Sequence, residues 1–479
     1  MLRKPNIVFV TIDTLRYDEA NKMHFLRKIA SRGILFKEYY ANGPATQFSF
    51  PSIHTSLPPL WRVKPDKYNG VAIWRRTTLA EVLKRFGYRT IAFVDNPYIS
   101  SYYGYSKGFD LFIDLQEYWR RIEKKRIWVR SLTGMKQSFN PLRIPERVIK
   151  WLMYHRALSA KNVDFASLLI AFIDILQYKI LSINPERMPT VRGEDSVRIT
   201  GHILQRYLRT PLFLWIHIMD AHDNGFGSYA PPLNRLSTLR ELYILARILR
   251  KVELRTKRED LLNNEILTLL KKLRVLALKY VDLVLAKLFA LLEKLISTLG
   301  DTILIITSDH GESFLEHGEL YHGTILYNEL LKVPLILYGA YPDDLDEITG
   351  KFSSHMDFGK MVFKILGKNE QKLWEYLNIP SLTANFYSRR AGVFAECWWE
   401  RKISYAYITK CAKTIVTFYG NNVYTELYDI IKDPNEKVNI ADSNPDLLKE
   451  HLNILRKHIL LEGHIALTKR LHDYLKKGV

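Results

Sequence analysis

Short apolar runs rich in β-branched and aromatic residues recur along this chain, with helical patterns between them. Asn6–Ile12, Thr90–Val94, Leu212–Met219, Thr302–Thr307 and Val333–Tyr338 each have the length and composition of one buried strand. Between them lie amphipathic segments such as Leu79–Phe86 and the long stretch from Leu239 to Leu299, where Leu, Ile and Val fall at helical spacing with Lys and Arg interleaved. Strands and helices alternating in this way predict an α/β fold built on a mainly parallel sheet flanked by helices. At 479 residues the chain exceeds one ordinary core. Residues 1–384 read as the main α/β domain, with 112–200 as a basic helical insertion. After 385 the texture changes. Gly392–Trp399, Ser404–Ile408 and Thr414–Tyr419 read as antiparallel strands, followed by a polar turn and a last amphipathic helix, Pro445–Leu460. A smaller α+β subdomain is expected over 385–479.

Composition narrows the function classes. Apolar residues make up 47% and charged residues 25%, which excludes disorder or low complexity as the main theme. Two cysteines, Cys397 and Cys411, allow at most one bridge and exclude a Cys-rich zinc site. The most apolar stretch, Phe165–Ile183, carries Asp174, Gln177 and Lys179 and fails as a membrane span. The N-terminus runs straight into a strand, so the chain reads as cytoplasmic. Few Gln and many Lys, Arg and Glu lean toward a thermophilic source. The net charge of +20 is uneven, since 117–162 holds twelve Lys/Arg against three Glu. That segment is either a solvated helical surface or a peripheral contact for an anionic membrane or polymer. No nucleic-acid motif accompanies it, and no nucleic-acid partner is expected.

The chemistry gathers where strands end. The first run closes on Asp13-Thr14, another on Asp220-Ala221-His222, a third on Asp309-His310-Gly311-Glu312. In open α/β sheets ligands sit outside the carboxyl ends of the strands. One aspartate there is usually a helix cap, but three deliveries of carboxylate, two with histidine, point to a shared site. Asp and His suit Ca²⁺, Mg²⁺, Mn²⁺ or Zn²⁺. Glu316-His317-Gly318 and Tyr321-His322-Gly323 add donors for an anionic substrate, or a general acid for a leaving group. A nucleophile is offered by Ser49 in Gly43-Pro-Ala-Thr-Gln-Phe-Ser49-Phe-Pro51-Ser52. Pro51 suits a helix first turn, which places Ser49 beside the N-cap, among free N–H groups fit for an oxyanion.

These residues together resemble the sulfatase family of the alkaline phosphatase superfamily. Pro5-Asn-Ile-Val-Phe-Val-Thr-Ile-Asp13-Thr-Leu-Arg16 looks like its opening strand and metal aspartate, and Ser49-Phe-Pro-Ser52 falls where the family has Cys or Ser, any residue, Pro, Ser. Gly87-Tyr-Arg-Thr90 with Gly108-Phe-Asp110, then His217-Ile-Met-Asp-Ala-His222 with Tyr229-Ala-Pro-Pro232, continue the match. Thr307-Ser-Asp309-His310-Gly-Glu312 is its most specific motif, and Glu426-Leu-Tyr-Asp429 with Asp433-Pro-Asn-Glu436 resembles its C-terminal signature. The resemblance implies Asp13, Ser49, Asp309 and His310 as ligands of one divalent metal, calcium by family habit, with Mg, Mn or Zn as alternatives. Ser49 is then the nucleophile, and His222 and His322 the groups at the substrate oxyanion or leaving oxygen. His317 and Arg16 join the substrate-binding set. His322 stands where many members carry Lys.

Two departures bear on the reaction. Thr14 replaces a second aspartate, and Ile53 replaces the Arg that closes the family's modification motif. Family sulfatases oxidise the Cys or Ser to formylglycine, whose hydrate attacks sulfur with one hydroxyl and expels sulfate with the other; a plain serine would be left as a stable sulfate ester. Whether Ser49 becomes formylglycine therefore decides between chemistries. The leading expectation is a metal-dependent hydrolase of a sulfate ester or a closely related phosphoester, on an anionic small molecule, glycan or lipid. A phosphoesterase, phosphonate hydrolase or phospho-headgroup transferase using unmodified Ser49 is the alternative, and a non-catalytic metal- or anion-binding homologue the third.

Overall fold

The computed structural model describes residues 4–114, 193–207, 211–222, 264–296, 301–342 and 352–476. The basic segment 117–162, nearly all of the 112–200 insertion and the first part of the Leu239–Leu299 stretch lie outside the described residues.

A seven-stranded sheet forms the centre. Its strands are β1 (Asn6–Ile12), β2 (Ile34–Phe36), β4 (Arg89–Val94), β5 (Leu111–Asp114), β6 (Leu212–Ile218), β7 (Thr302–Ser308) and β10 (Leu335–Gly339). Two short pairs fill out the numbering: β3 (Tyr39–Tyr40) with β11 (Ser353–Ser354), and β8 (Ser313–Phe314) with β9 (Leu320–Tyr321). The order across the sheet is β2-β10-β7-β1-β6-β4-β5, parallel except where β10 runs against both β7 and β2. The predicted, mainly parallel α/β fold is what forms.

Central strands covered on both faces read as unbroken apolar runs, and their residues divide by parity. Ile7, Phe9, Trp215, Ile303 and Ile305 pack on one side with α2 (Thr46–Thr55). Val8, Val10, Ile12, Ile216 and Ile306 pack on the other with α1 (His24–Ala30) and Val281, Val284, Leu285 and Leu288 of α5 (Asn264–Ile296). The N-cap of α1, Met23, has no side chain able to accept the free N–H groups. Asp282 of α5 supplies that acceptor, taking the N–H of Phe25 at 2.8 Å and of Leu26 at 3.1 Å.

The C-terminal subdomain has four antiparallel strands, β12 (Val393–Trp399), β13 (Lys402–Ile408), β14 (Ala412–Tyr419) and β15 (Asn422–Asp429). Phe394, Tyr405, Val416 and Phe418 face Leu448, Leu452, Leu455 and Ile459 of helix α8 (Pro445–Leu461). Two expectations are corrected here. Part of the expected polar turn is β15, whose exposed residues alternate too weakly to reveal a strand. The Pro445 helix is also not the last, because Gly463 at φ +87° breaks the chain direction and α9 (Ile465–Lys476) follows.

Candidate active site

Register places the site. Ile12 pairs with Ile218 on one side and Ser308 on the other, so the next residues, Asp13 and Asp309, leave neighbouring strands level with each other. Both carboxylates have no solvent exposure. The backbone turns sharply at Thr14, a β-branched residue at φ +61°. The turn aims the Thr14 N–H at Asp309 Oδ1, 3.2 Å away.

Helix α2 brings the third component, and it is not the serine. The helix starts at Thr46 with Ala45 as N-cap. Pro51 therefore sits in its second turn, and the expectation of a helix beginning near Pro51 is corrected. Ser49, one turn in, donates its hydroxyl to Gly43 O at 2.8 Å, as a residue inside a helix does with a nearby carbonyl. Gly43 has to be a glycine, because a Cβ there would lie 2.3 Å from the Phe48 Cβ. The side chain facing the carboxylates is Thr46. Its Oγ1 is 2.9 Å from Asp309 Oδ2, 3.3 Å from Asp13 Oδ2 and 3.5 Å from His310 Nε2.

Two imidazoles close the group, and their tautomers follow from their outer contacts. His310 Nδ1 lies 2.8 Å from Gly311 O, so it carries the proton and leaves the Nε2 lone pair 3.6 Å from Asp13 Oδ1 and 3.5 Å from Asp309 Oδ2. His217 Nδ1 contacts Thr11 Oγ1 at 2.9 Å, and that oxygen also accepts the Trp215 indole N–H at 3.0 Å. With the Thr11 proton turned to Ile216 O, the His217 Nε2 lone pair faces Asp13 Oδ2 at 3.4 Å. Asp13 Oδ1 and His217 Nε2 are buried without a hydrogen-bond partner. Lone pairs and carboxylate oxygens converging in a dry pocket fit a cation, and Asp13, His217 and Asp309 each place a donor atom within 4.8 Å of the others. The electrostatics agree. Burial works against charge on Asp13, but the neighbouring imidazoles of His222, His217 and His310 outweigh it and hold the carboxyl far below its usual range. Burial and the charge of Asp13 push Asp309 well up, and burial with the neighbouring His322 pushes His310 well down.

Around this core stand groups with other tasks. Asn96, just past β4, donates its amide to Asp13 Oδ2 at 3.1 Å and to Thr46 Oγ1 at 3.2 Å. Its Oδ1 accepts the Tyr98 N–H at 3.0 Å, which fixes which end of the amide faces the site. The His322 ring stands 4.9 Å from that of His222 and 4.5 Å from that of His310. Burial opposes charge on His322, but the Glu312 carboxylate, 2.9 Å from Nδ1, raises its pKa. Burial lowers that of His222. Arg274 reaches in from α5 and donates to Glu19, to Thr14 Oγ1 and O, and to Ala221 O.

Of the residues expected from sequence, Asp13, Asp309, His310, His222 and His322 come together, while Ser49, His317 and Arg16 do not. Both His317 nitrogens are taken up, Nδ1 by Glu329 at 2.7 Å and Nε2 by Glu436 O at 3.0 Å, and the ring stacks on Tyr327. Arg16 is held by Asp18, Glu316 and Glu312 O. Asp220 accepts the Gly193 N–H at 2.9 Å, where helix α4 (Gly193–Tyr207) begins. Thr46, Asn96, His217 and Arg274 were passed over. Thr46 had one visible signal, since Gly43-Pro44, separated from it by Ala45 alone, is as good a helix-start mark as Pro51.

Comparison with known proteins supplies the family. The family model described as Sulfatase matches residues 5–368. Arylsulfatase K of Canis lupus familiaris is 21% identical over 99% of this chain and 85% of its own length. Among solved structures, a 2-O GAG sulfatase superposes with TM-score 0.58 at 17% identity, covering 96% of this chain and 93% of the other. A protein solved in complex with its substrate D-glucosamine-2-N,6-O-disulfate gives 0.57 at 17% identity, covering 96% and 99%. The phosphonate monoester hydrolase of Agrobacterium radiobacter gives 0.56 at 16% identity, covering 95% and 96%. The neighbours are thus sulfuric ester hydrolases with phosphonate monoester hydrolases among them, and this chain, an α/β enzyme with a site fit for a metal ion, belongs to the sulfatase family.

Proposed function

We propose that this enzyme hydrolyses a phosphate or phosphonate ester of an anionic substrate, with Thr46 as the unmodified nucleophile. The observation that carries the reading is the position of Thr46 Oγ1 between Asp13, Asp309 and the Asn96 amide. Formylglycine is an aldehyde made from a residue with a primary Cβ substituent. Threonine carries a methyl group on Cβ and has no route to it. A threonine that accepted a sulfuryl group would be left as an inert ester, whereas a phosphorylated threonine is open to in-line attack by water.

The residues divide the work. Asp309 accepts the Thr46 hydroxyl proton's hydrogen bond at 2.9 Å, orienting the oxygen for attack. As the Thr46 Oγ1–phosphorus bond forms, the hydroxyl proton passes to Asp309 Oδ2 and the bond from phosphorus to the ester oxygen breaks. His322, kept protonated by Glu312, gives its proton to that leaving oxygen. Water then attacks phosphorus from the opposite side, losing a proton to the now neutral His322. The phosphorus–Oγ1 bond breaks and Thr46 takes its proton back from Asp309. Asn96 donates to the attacking oxygen throughout. Asp13, Asp309, His217, His310 and Thr46 would hold the divalent ion, which supplies Lewis-acid neutralisation of the developing charge. Two imidazoles in the donor set favour Zn²⁺ or Mn²⁺ over the all-oxygen preference of Ca²⁺.

Sulfate-ester hydrolysis is the second reading, favoured by the family itself. Metal-replete protein and its Thr46→Ala and Ser49→Ala variants are assayed on 4-nitrophenyl sulfate, 4-nitrophenyl phosphate, bis(4-nitrophenyl) phosphate and a phosphonate monoester. Phosphorus-ester turnover lost in Thr46→Ala and kept in Ser49→Ala supports the proposal. Sulfate turnover that survives Thr46→Ala and disappears in Ser49→Ala sinks it.

A further inference from the structure

A second set of ligand-type side chains is buried away from the strand ends, where the C-terminal subdomain meets the segment that follows α2. Glu396 of β12, His458 of α8 and Glu462 at the end of that helix have no solvent exposure. One donor atom from each lies within 4.8 Å of the other two. His458 Nε2 is 2.7 Å from Glu396 Oε1 and 3.9 Å from Glu462 Oε1.

Two of the three are anchored through their far ends, which leaves the near ends to converge. Glu396 Oε2 accepts the Leu60 N–H at 3.0 Å. His458 Nδ1 meets the Tyr387 hydroxyl at 3.0 Å, and its ring lies flat on Phe394 with centroids 4.0 Å apart. Outer contacts of this kind set the tautomer and aim of metal-binding histidines. Glu462 is different. No donor reaches either oxygen in hydrogen-bond geometry, although the Tyr405 hydroxyl and Glu396 lie close by. The guanidinium of Arg76, also buried, is already occupied by the carbonyls of Pro58, Pro59 and Trp61. Two carboxylates and an imidazole thus share a dry space, and the nearest further cationic group with a titratable proton, His464, stands 3.9 Å from Glu462 Oε2 with its Nε2 also 3.2 Å from Leu60 O. Burying charge on those terms is costly unless a cation completes it.

We infer that Glu396, His458 and Glu462 bind one divalent cation of borderline type, Zn²⁺ or Mn²⁺, at a site separate from the Asp13–Asp309 group. Its role is structural. Leu60 N–H binds Glu396, and Arg62 N–H donates to Glu462 O at 2.9 Å, so the ion would clamp the subdomain to the chain leaving the helix that carries Thr46.

The test uses the full chain, stripped with chelator and re-equilibrated with Zn²⁺ or Co²⁺, as wild type, Asp309→Ala, Glu462→Gln and the double variant. The expected result is one metal equivalent kept by Asp309→Ala, with Co²⁺ ligand-field absorption and a metal-dependent rise in Tm. Glu462→Gln should lose that equivalent and that rise while keeping its ester turnover, and the double variant should hold no metal. A stripped Asp309→Ala protein that takes up no ion and shows no Tm change overturns the proposal, leaving a proton-sharing polar network. An equivalent retained in the double variant overturns it too. If Glu462→Gln does not fold, the Asp309→Ala absorption and melting data decide alone. The metal content, absorption and melting readouts do not need turnover, so they stand apart from the fate of the Thr46 mechanism.

Discussion

Replacing Arg274 with Ala is expected to unhinge the site from behind. The guanidinium is 4% exposed and forks onto both oxygens of Glu19, at 2.9 Å and 2.6 Å. It also donates to Thr14 O at 2.5 Å, to Thr14 Oγ1 at 3.0 Å and to Ala221 O. Thr14 follows Asp13 and Ala221 precedes His222, so one side chain ties together the two strand ends that deliver them. Removing one partner of a buried ion pair costs about 3–5 kcal/mol, because the other charge stays buried. The stranded Thr14 carbonyl adds to this, while Ala221 O keeps the Thr14 hydroxyl at 3.0 Å, and water entering the vacated space offsets part of the loss. A loss of about 4 kcal/mol is therefore expected, a sizeable share of the roughly 5–15 kcal/mol that holds a domain folded. Urea unfolding followed by tryptophan fluorescence reads it through the buried Trp215. Glu19→Leu in the Arg274→Met background should recover most of the loss, since an apolar pair of similar volume leaves no orphaned charge. A loss below about 1 kcal/mol, the range of exposed pairs, would refute the reasoning.

Three further outcomes are expected. Asn96→Ala should lower kcat by about 10²–10³-fold, the usual cost of one donor aimed at reacting oxygen, with the melting temperature little changed; an unaltered kcat removes Asn96 from the reaction. Glu312→Gln removes the charge that favours the protonated form of His322 against burial, so the alkaline limb of the kcat profile should move to lower pH. A limb that stays in place shifts the general-acid role to another group, with His222 the next to examine. Chelator should abolish turnover and Zn²⁺ or Mn²⁺ should restore it, and His217→Ala should weaken the metal affinity read by isothermal titration, whereas an unchanged affinity removes His217 from the ligand set.

The sheet was legible because its signal is local. Strands covered on both faces must be continuously apolar, and Asn6–Ile12 or Thr302–Ser308 can hardly be anything else. Carboxylates at the ends of such strands share one sheet edge, so Asp13, Asp309, His310 and His222 could be named without coordinates. What failed was decided by packing. Thr46 and Ser49 lie three residues apart in one helix, and either could reach a site at its end. The helix start, set by Ala45 as cap and Gly43 against Phe48, gives Thr46 the carboxylates and Ser49 a backbone carbonyl. His317 and His322 carry the same side chain five residues apart, and only the tertiary neighbours, Glu329 for one and Glu312 for the other, separate a structural imidazole from one facing the site. Arg274 reads as one more charge on an amphipathic helix until that helix is laid across the sheet and its guanidinium meets Glu19, more than 250 residues away in sequence. Periodicity and strand-end chemistry are written residue by residue and survive in the sequence. Which hydroxyl, which histidine and which arginine reach the site depends on contacts between distant segments, and those exist only once the chain has folded.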